Sequence, residues 1–256
     1  MGKQVVTARL RIGYVFKYVG EETLEALNAL LAALQLAACP GFYPTASTRY
    51  YWTACYLFLA TSLVGGIIQV HALLESAQFL THHARGAAQP SEAEIGRSER
   101  EVCESVCYLA SSLLFAAGSV LFLPDVYEHN ERNDLTAGTA LFLAGSLLLQ
   151  LAAFVNLLSV SVTGRMHKFG SEELGVLSLL CSQAASAAYS MGSLGYFPQL
   201  EGDGSKWNPL TVGTNLYVIG AALYLVGGML NCALVVIKRR HHRKIKEPRG
   251  RLRQEV

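Results

Sequence analysis

Long apolar stretches separated by short polar loops run through most of this chain, and those free of charge include 106–124, 135–163, 174–200 and 210–237. Each exceeds the roughly 18 apolar residues at which a membrane span becomes the default reading, since about 20 residues at a 1.5 Å rise cross the hydrocarbon core. A buried helix of a soluble protein would show alternating polar faces, and the stretches 106–124 and 135–163 show none. Two further stretches, 26–43 with Asn28 and Gln35, and 51–74 with Gln69 and His71, are apolar but less clean.

The stretches fall into a two-helix unit that recurs. Its first helix ends on an aromatic-proline signal, in turn Phe42-Tyr43-Pro44, Phe122-Leu123-Pro124 and Tyr196-Phe197-Pro198. After a polar loop the second helix opens, and three segments align without gaps: 56–62 (YLFLATS), 140–146 (ALFLAGS) and 215–221 (NLYVIGA). A recurring supersecondary unit decides the expected fold class: all-α, a polytopic membrane protein with six transmembrane helices as three repeated helical hairpins. The unit also makes 26–43 a span, because it matches its counterparts.

Composition and charge sharpen this picture. The chain is 52% hydrophobic and 16% charged, against roughly 25% charged in soluble domains. Of the 21 Lys and Arg, only Arg49, Arg132 and Lys206 fall in the loops at the hairpin tips. The tips also hold six acids, among them Asp125, Glu131 and Asp134, so they are net negative while the opposite side is net positive. The Lys/Arg bias places the hairpin bases and both termini on the cytoplasmic side, or on the matrix or stromal side of an organelle.

Small residues recur every seven positions within the second helices. Gly138, Gly145 and Ala152 of the middle unit align with Gly213, Gly220 and Gly227 of the last, and the first keeps Ala54 and Thr61. Glycine is costly in a helix interior, and small residues let membrane helices approach closely enough for dispersion to hold them. A period of seven stays on one face if the helices supercoil slightly. These glycines are therefore expected to form packing seams; the alternative is a groove for lipid or pigment.

The segments Gly118-Ser119-Val120-Leu121-Phe122 and Leu141-Phe142-Leu143-Ala144-Gly145-Ser146 resemble the YrhK-like domain family, a two-helix membrane module with a Gly-Ser-x-Leu-Phe pattern followed by a Leu-Phe-x-x-Gly-Ser pattern. The resemblance covers roughly residues 103–158 and is supported in the last unit by Gly192-Ser193 and Gly220. In the first unit Cys39-Pro40-Gly41 stands where the Gly-Ser pair should begin. The resemblance implies a membrane module with no established biochemical activity. The expected organisation is a basic N-terminal segment 1–23, a degenerate hairpin 24–80, a linker 81–101 read as a mobile connection or short surface helix, YrhK-like hairpins 102–163 and 164–237, and a basic tail 238–256.

Candidate chemistry is sparse. His71 is the histidine set deep in an expected span, four residues before Glu75, and ionisable groups in a membrane are functional candidates by default, but neither other hairpin repeats the pair, so a structural or interfacial histidine is the favoured reading. No second intramembrane histidine offers a bis-histidine haem site. Six cysteines lie singly in or near apolar segments and read as small buried hydrophobes rather than a disulfide frame. Cys103 and Cys107 share a helix face but do not complete a zinc site. Asn156 and Asn231 are aligned between the last two hairpins, where such amides join helices or line a polar pathway. No nucleophile, base or metal-ligand constellation is present, so neither catalysis nor a cofactor is expected.

The termini read as surface features. Residues 1–20 interleave Lys3, Arg9, Arg11 and Lys17 with apolar residues, as an interfacial amphipathic segment or an organellar targeting segment would. The tail cluster beginning at Lys238 lies just after a span, where it meets anionic lipid head groups; lacking an aromatic platform, it does not fit nucleic acid. Taken together, the residues put first a non-enzymatic multi-pass membrane scaffold or accessory subunit, in a bilayer with other membrane proteins or further copies of itself. A small solute or ion transporter or channel, using the amides and His71, is the alternative.

Overall fold

A computed structural model describes residues 21–83, 92–127, 130–162, 171–200 and 208–246. The expected N-terminal segment, the centre of the linker and the end of the tail lie outside these residues. Among the described residues there are seven α-helices and no strand: α1 (Glu21–Ala38), α2 (Thr48–His83), α3 (Glu92–Leu121), the short α4 (Pro124–Tyr127), α5 (Glu131–Val162), α6 (Ser171–Leu194) and α7 (Pro209–Lys246). All but α4 are long and apolar enough to cross a membrane.

Prolines end the odd members of the pattern. Pro40 stands in the 3-10 turn Cys39–Phe42 that follows α1, Pro124 opens α4 just after α3, and Pro198 opens the 3-10 turn Pro198–Leu200 after α6. A proline lacks the N–H that the next helical bond needs and pushes the preceding residue toward extended backbone. New helices then start on caps. Ser47 Oγ accepts from Tyr50 N at 3.3 Å at the start of α2. Asn208 Oδ1 accepts from Leu210 N at 2.9 Å, ahead of Pro209 at the first position of α7.

Several boundaries differ from those read in the apolar runs. The first helix of the hairpin expected from 102 begins at Glu92, so residues 92–101 of the expected linker are the opening turns of α3. The α2 helix continues to His83, and α7 to Lys246, nine residues past the apolar run. Apolarity marks where a helix avoids water, whereas Glu, Arg and Lys are good helix formers that carry it onward.

The six long helices close into a ring in chain order, with α7 returning to α1. That last contact is tight: a Cβ on Gly228 would stand 3.1 Å from Ala29 Cα. At the centre of one end sits an aromatic core. The rings of Phe58, Phe142 and Tyr217, one from each second helix, form a triangle with centroid separations of 6.2, 6.4 and 6.2 Å. Each also meets the aromatic residue that ends its own first helix, edge to face: Phe42–Phe58 at 5.3 Å, Phe122–Phe142 at 5.4 Å and Tyr196–Tyr217 at 5.4 Å. Offset and edge-to-face pairs are the favoured aromatic geometries.

A cycle of side chain-to-backbone contacts surrounds these rings. Cys55 Sγ donates to the carbonyl of Phe122 at 3.6 Å, Thr139 Oγ1 to that of Tyr196 at 3.2 Å, and Thr214 Oγ1 to that of Phe42 at 3.3 Å. The donors occupy the same position in the three aligned second helices, and each reaches the next first helix around the ring. Tyr51 Oη also donates to Phe122 O, at 2.9 Å. A helix-ending carbonyl has no partner in its own helix, so these donors satisfy groups that would otherwise be costly to bury.

The core takes small polar side chains as well as aromatic ones. Fully buried positions include Ser111, Thr139, Ser146, Ser186, Ser193 and Thr214, while Leu113 and Met191 are about 60% exposed on the perimeter. Glycine seams make this close approach. A Cβ on Gly118 would lie 2.6 Å from the Phe142 ring, and one on Gly192 2.7 Å from the Tyr217 ring. Gly145 and Gly220 likewise face Phe115 with Ser111 O and Tyr189 with Ala185 O, at 3.0–3.3 Å. Gly138 and Gly213 lie against Gly118 O and Gly192 O, and Gly227 against Ser178 O, to which it is also tied by Ser178 Oγ donating to Gly227 O at 3.0 Å.

Candidate functional site

Away from the aromatic core, toward the end that holds the start of α1 and the end of α2, the ring does not fill. A chamber of about 1730 Å³ lies between the helices. Its deep end is aromatic, with Phe58, Phe115, Tyr189, Tyr217 and Tyr224. Its mouth is lined by Glu25, Glu75, Arg100, Glu101 and Glu173. Along α2 the lining runs from Phe58 to Ser76, roughly 27 Å at 1.5 Å per residue.

The chamber exists because the first hairpin is splayed. Near its tip the two helices touch, with Tyr50 Oη donating to Ala37 O at 2.8 Å and Gly41 set against Ala54. Midway, Gln35 Nε2 reaches Thr61 Oγ1 at 3.4 Å. Beyond that α1 leans onto α7 at Gly228 instead. The other two hairpins stay closed along their seams, as the bond from Ser111 Oγ to Gly145 O at 2.9 Å illustrates.

Past the floor the structure is nearly solid. Between Phe42, Phe58, Phe122, Phe142, Tyr196 and Tyr217 there remains a void of about 20 Å³, enough for about one water molecule. The tyrosine hydroxyls around it are held: Tyr217 Oη shares a hydrogen bond with Ser193 Oγ at 2.8 Å, and Tyr196 Oη with Thr214 Oγ1 at 2.8 Å. Among the described residues the chamber is therefore sealed by rings at one end and bordered by Glu25, Glu75, Arg100, Glu101 and Glu173 at the other.

Of the expected pathway residues, Asn156 and Asn231 line the chamber and His71 does not. His71 is half-buried on α2, between Gln69 and Ala72, which do line it. Asn156 Nδ2 donates to Glu104 Oε1 at 2.7 Å, across the seam between α3 and α5. Glu104 escaped sequence reasoning because it precedes the uncharged run and counts there as a base-side charge. Its signal was positional, one helical turn before Tyr108 on the chamber face.

Cys39, Cys55 and Cys107 are buried thiols, Cys103 is exposed, and all the cysteines are free. Among the described residues no cluster of three or more His, Cys, Asp and Glu is arranged to hold a metal ion.

Comparison with known families adds one match. Residues 101–160 match the family model described as YrhK-like protein. That segment takes in most of α3, α4 and nearly all of α5, including the Gly118–Phe142 and Gly145–Phe115 contacts. Neither the curated proteins nor the solved structures yield a match to the chain.

Proposed function

We propose that this chain is a multi-pass membrane protein of three YrhK-like hairpins whose ring encloses a one-ended chamber for a small solute, as in a transporter or channel component seen open to one side. The observation that carries the proposal is the polar-mouthed chamber of about 1730 Å³ ending on an aromatic seal. A plain scaffold has no need of such a space, because filling it with side chains would stabilise the bundle. Solute sites of helical membrane proteins lie between helices, where polar groups can be tolerated.

Membrane insertion is supported by the six long apolar helices and by large apolar side chains facing outward on each of them, such as Leu30, Ile67, Leu113, Leu147, Met191 and Met229. Three related hairpins are supported by the aromatic triangle and the cyclic Cys55, Thr139 and Thr214 contacts. The Lys/Arg distribution favours a cytoplasmic, or matrix or stromal, base. On this reading the chamber opens to the side that holds both termini. The basic tail contacts anionic lipid there.

Labelling tests the chamber. In a cysteine-free background, Ser112→Cys on the chamber wall should react with a charged, membrane-impermeant thiol reagent added from the base side only. Leu113→Cys, on the outer face, should stay inert. Solutes that slow labelling at 112 are then candidates for flux assays in vesicles. An inert 112, in protein that is folded by thermal melting, would contradict the proposal. The scaffold reading would then return to first place.

A further inference from the structure

One carboxylate of the chamber wall stands where packing alone has no use for it. We propose that Glu104 is a proton-binding site of the chamber, its carboxyl taking up and releasing a proton from the base side while Asn156 holds it in place. The proposal rests on the chamber reading above and makes the proton a ligand of that chamber.

Glu104 lies within Ser98–Leu121, the part of α3 long and apolar enough to cross a membrane. At 1.5 Å per residue it stands about 25 Å from Leu121, within the roughly 30 Å of a hydrocarbon core. Ionisable groups at such depth are costly to keep, and they mark ion or proton paths when they face an internal cavity. Glu104 lines the chamber. Its Oε1 accepts from Asn156 Nδ2 at 2.7 Å, and among the described residues no ion pair engages it. The titratable or charged groups around it are Arg100, Glu101, Cys107 and Tyr108 on its own helix, Glu25 on α1, Glu75 on α2, Glu173 on α6 and Tyr224 on α7. His71 stands on α2 outside the lining, and α5 contributes the neutral Asn156.

The last hairpin shows what packing requires at this place. Aligning Gly118 with Gly192 sets Ser178 at the position of Glu104, and there a hydroxyl closes the seam, Ser178 Oγ donating to Gly227 O at 3.0 Å. A neutral serine suffices for close approach, so an ionisable group at the same place answers a different need. Asn156 engages one oxygen and leaves the other for the proton. The protonated carboxyl keeps Oε1 as a carbonyl acceptor, so the bond between α3 and α5 survives in both states. A metal ion would need several clustered oxygen ligands, and among the described residues no group of three His, Cys, Asp or Glu is arranged for one.

The probe is dicyclohexylcarbodiimide, applied to the full chain in sealed vesicles with the base side outward. It reacts with a protonated carboxyl: the acid proton passes to a carbodiimide nitrogen and the carboxyl oxygen bonds to the central carbon. Rearrangement to an N-acylurea leaves the whole reagent on the protein. Peptide mass mapping should find the adduct at Glu104, falling about tenfold or more as base-side pH is raised from 5 to 9, and indifferent to pH inside the vesicles. Glu131, exposed at a hairpin tip, should show no such adduct at neutral pH. Glu104→Gln, which keeps an oxygen for Asn156, should lose the adduct while Ser112→Cys still labels from the base side. The unaltered chain decides the matter even if Glu104→Gln fails to fold. A reactive 112 with no adduct at Glu104, or with an adduct that ignores base-side pH, would overturn the proposal and leave the chamber standing. An inert 112 in folded protein would remove the chamber reading, and the proposal with it.

Discussion

Thr214 Oγ1 lies 3.3 Å from the carbonyl of Phe42, a contact that joins α7 to the end of α1 across 172 residues of sequence. It is the third of three like contacts, and with it the ring is closed. Replacing Thr139 or Thr214 by Val would keep the shape but strand a carbonyl. The expected loss is about 1–2 kcal/mol for each, with Ser at the same site losing less. Cys55→Thr should be neutral or stabilising, because a hydroxyl is a stronger donor than the thiol now 3.6 Å from Phe122 O. Thermal melting in mild detergent checks all of these variants.

Glycine seams predict a graded response. Gly118→Ala and Gly192→Ala each bring a Cβ within 2.7 Å of a ring carbon, and overpacking of this kind costs about 1–3 kcal/mol. Leu at Gly145 or Gly220, whose Cβ positions face Phe115 and Tyr189, should cost at least as much. Gly96→Ala meets nothing within 4 Å and should be tolerated. Equal melting of Gly96→Ala and Gly118→Ala would remove the argument for a seam.

These seams were legible in the sequence, and the chamber was not. The spacing of Gly138 and Gly145 carries the closeness of α3 and α5, because a missing side chain can be read directly. Phe42, Phe122 and Tyr196 were visible as helix-ending signals, but that they face inward onto Phe58, Phe142 and Tyr217 depends on how hairpins assemble. The chamber depends on the departure of α1 from α2 toward Gly228, a tertiary choice with no local signature. Its carboxylates read as ordinary base-side charges, since single-chain patterning separates a mouth from a surface poorly. Asn156 was found as an aligned amide, whereas its partner Glu104 was not.

The topology proposed from charge is tested by labelling. Single cysteines at Asn130 and Asp203 should label from the side opposite the termini, and cysteines at Ala87 and Ser171 only from the side of the termini. Labelling of positions 130 and 87 from one face would break the hairpin arrangement.

His71 separates two uses of the same helix. Because it stands outside the chamber lining, His71→Gln should leave folding, labelling at 112 and any flux unchanged between pH 5 and 8. A selective loss of proton-coupled flux in folded protein would place His71 in the working path after all.

Closure of the ring is the claim on which chamber and seal both depend, and the contact of α1 with α7 tests it most directly. Gly228 offers a Cβ position 3.3 Å from Ala29 Cβ, close to the roughly 3.5–4.5 Å that a disulfide spans. Ala29→Cys with Gly228→Cys, in cysteine-free protein in native membranes, should form an intrachain disulfide under mild oxidation. A thiol-reversible mobility shift without dimer formation is the expected result. Cross-linking only between chains, or none while Ala29→Cys remains reactive, would contradict a closed ring.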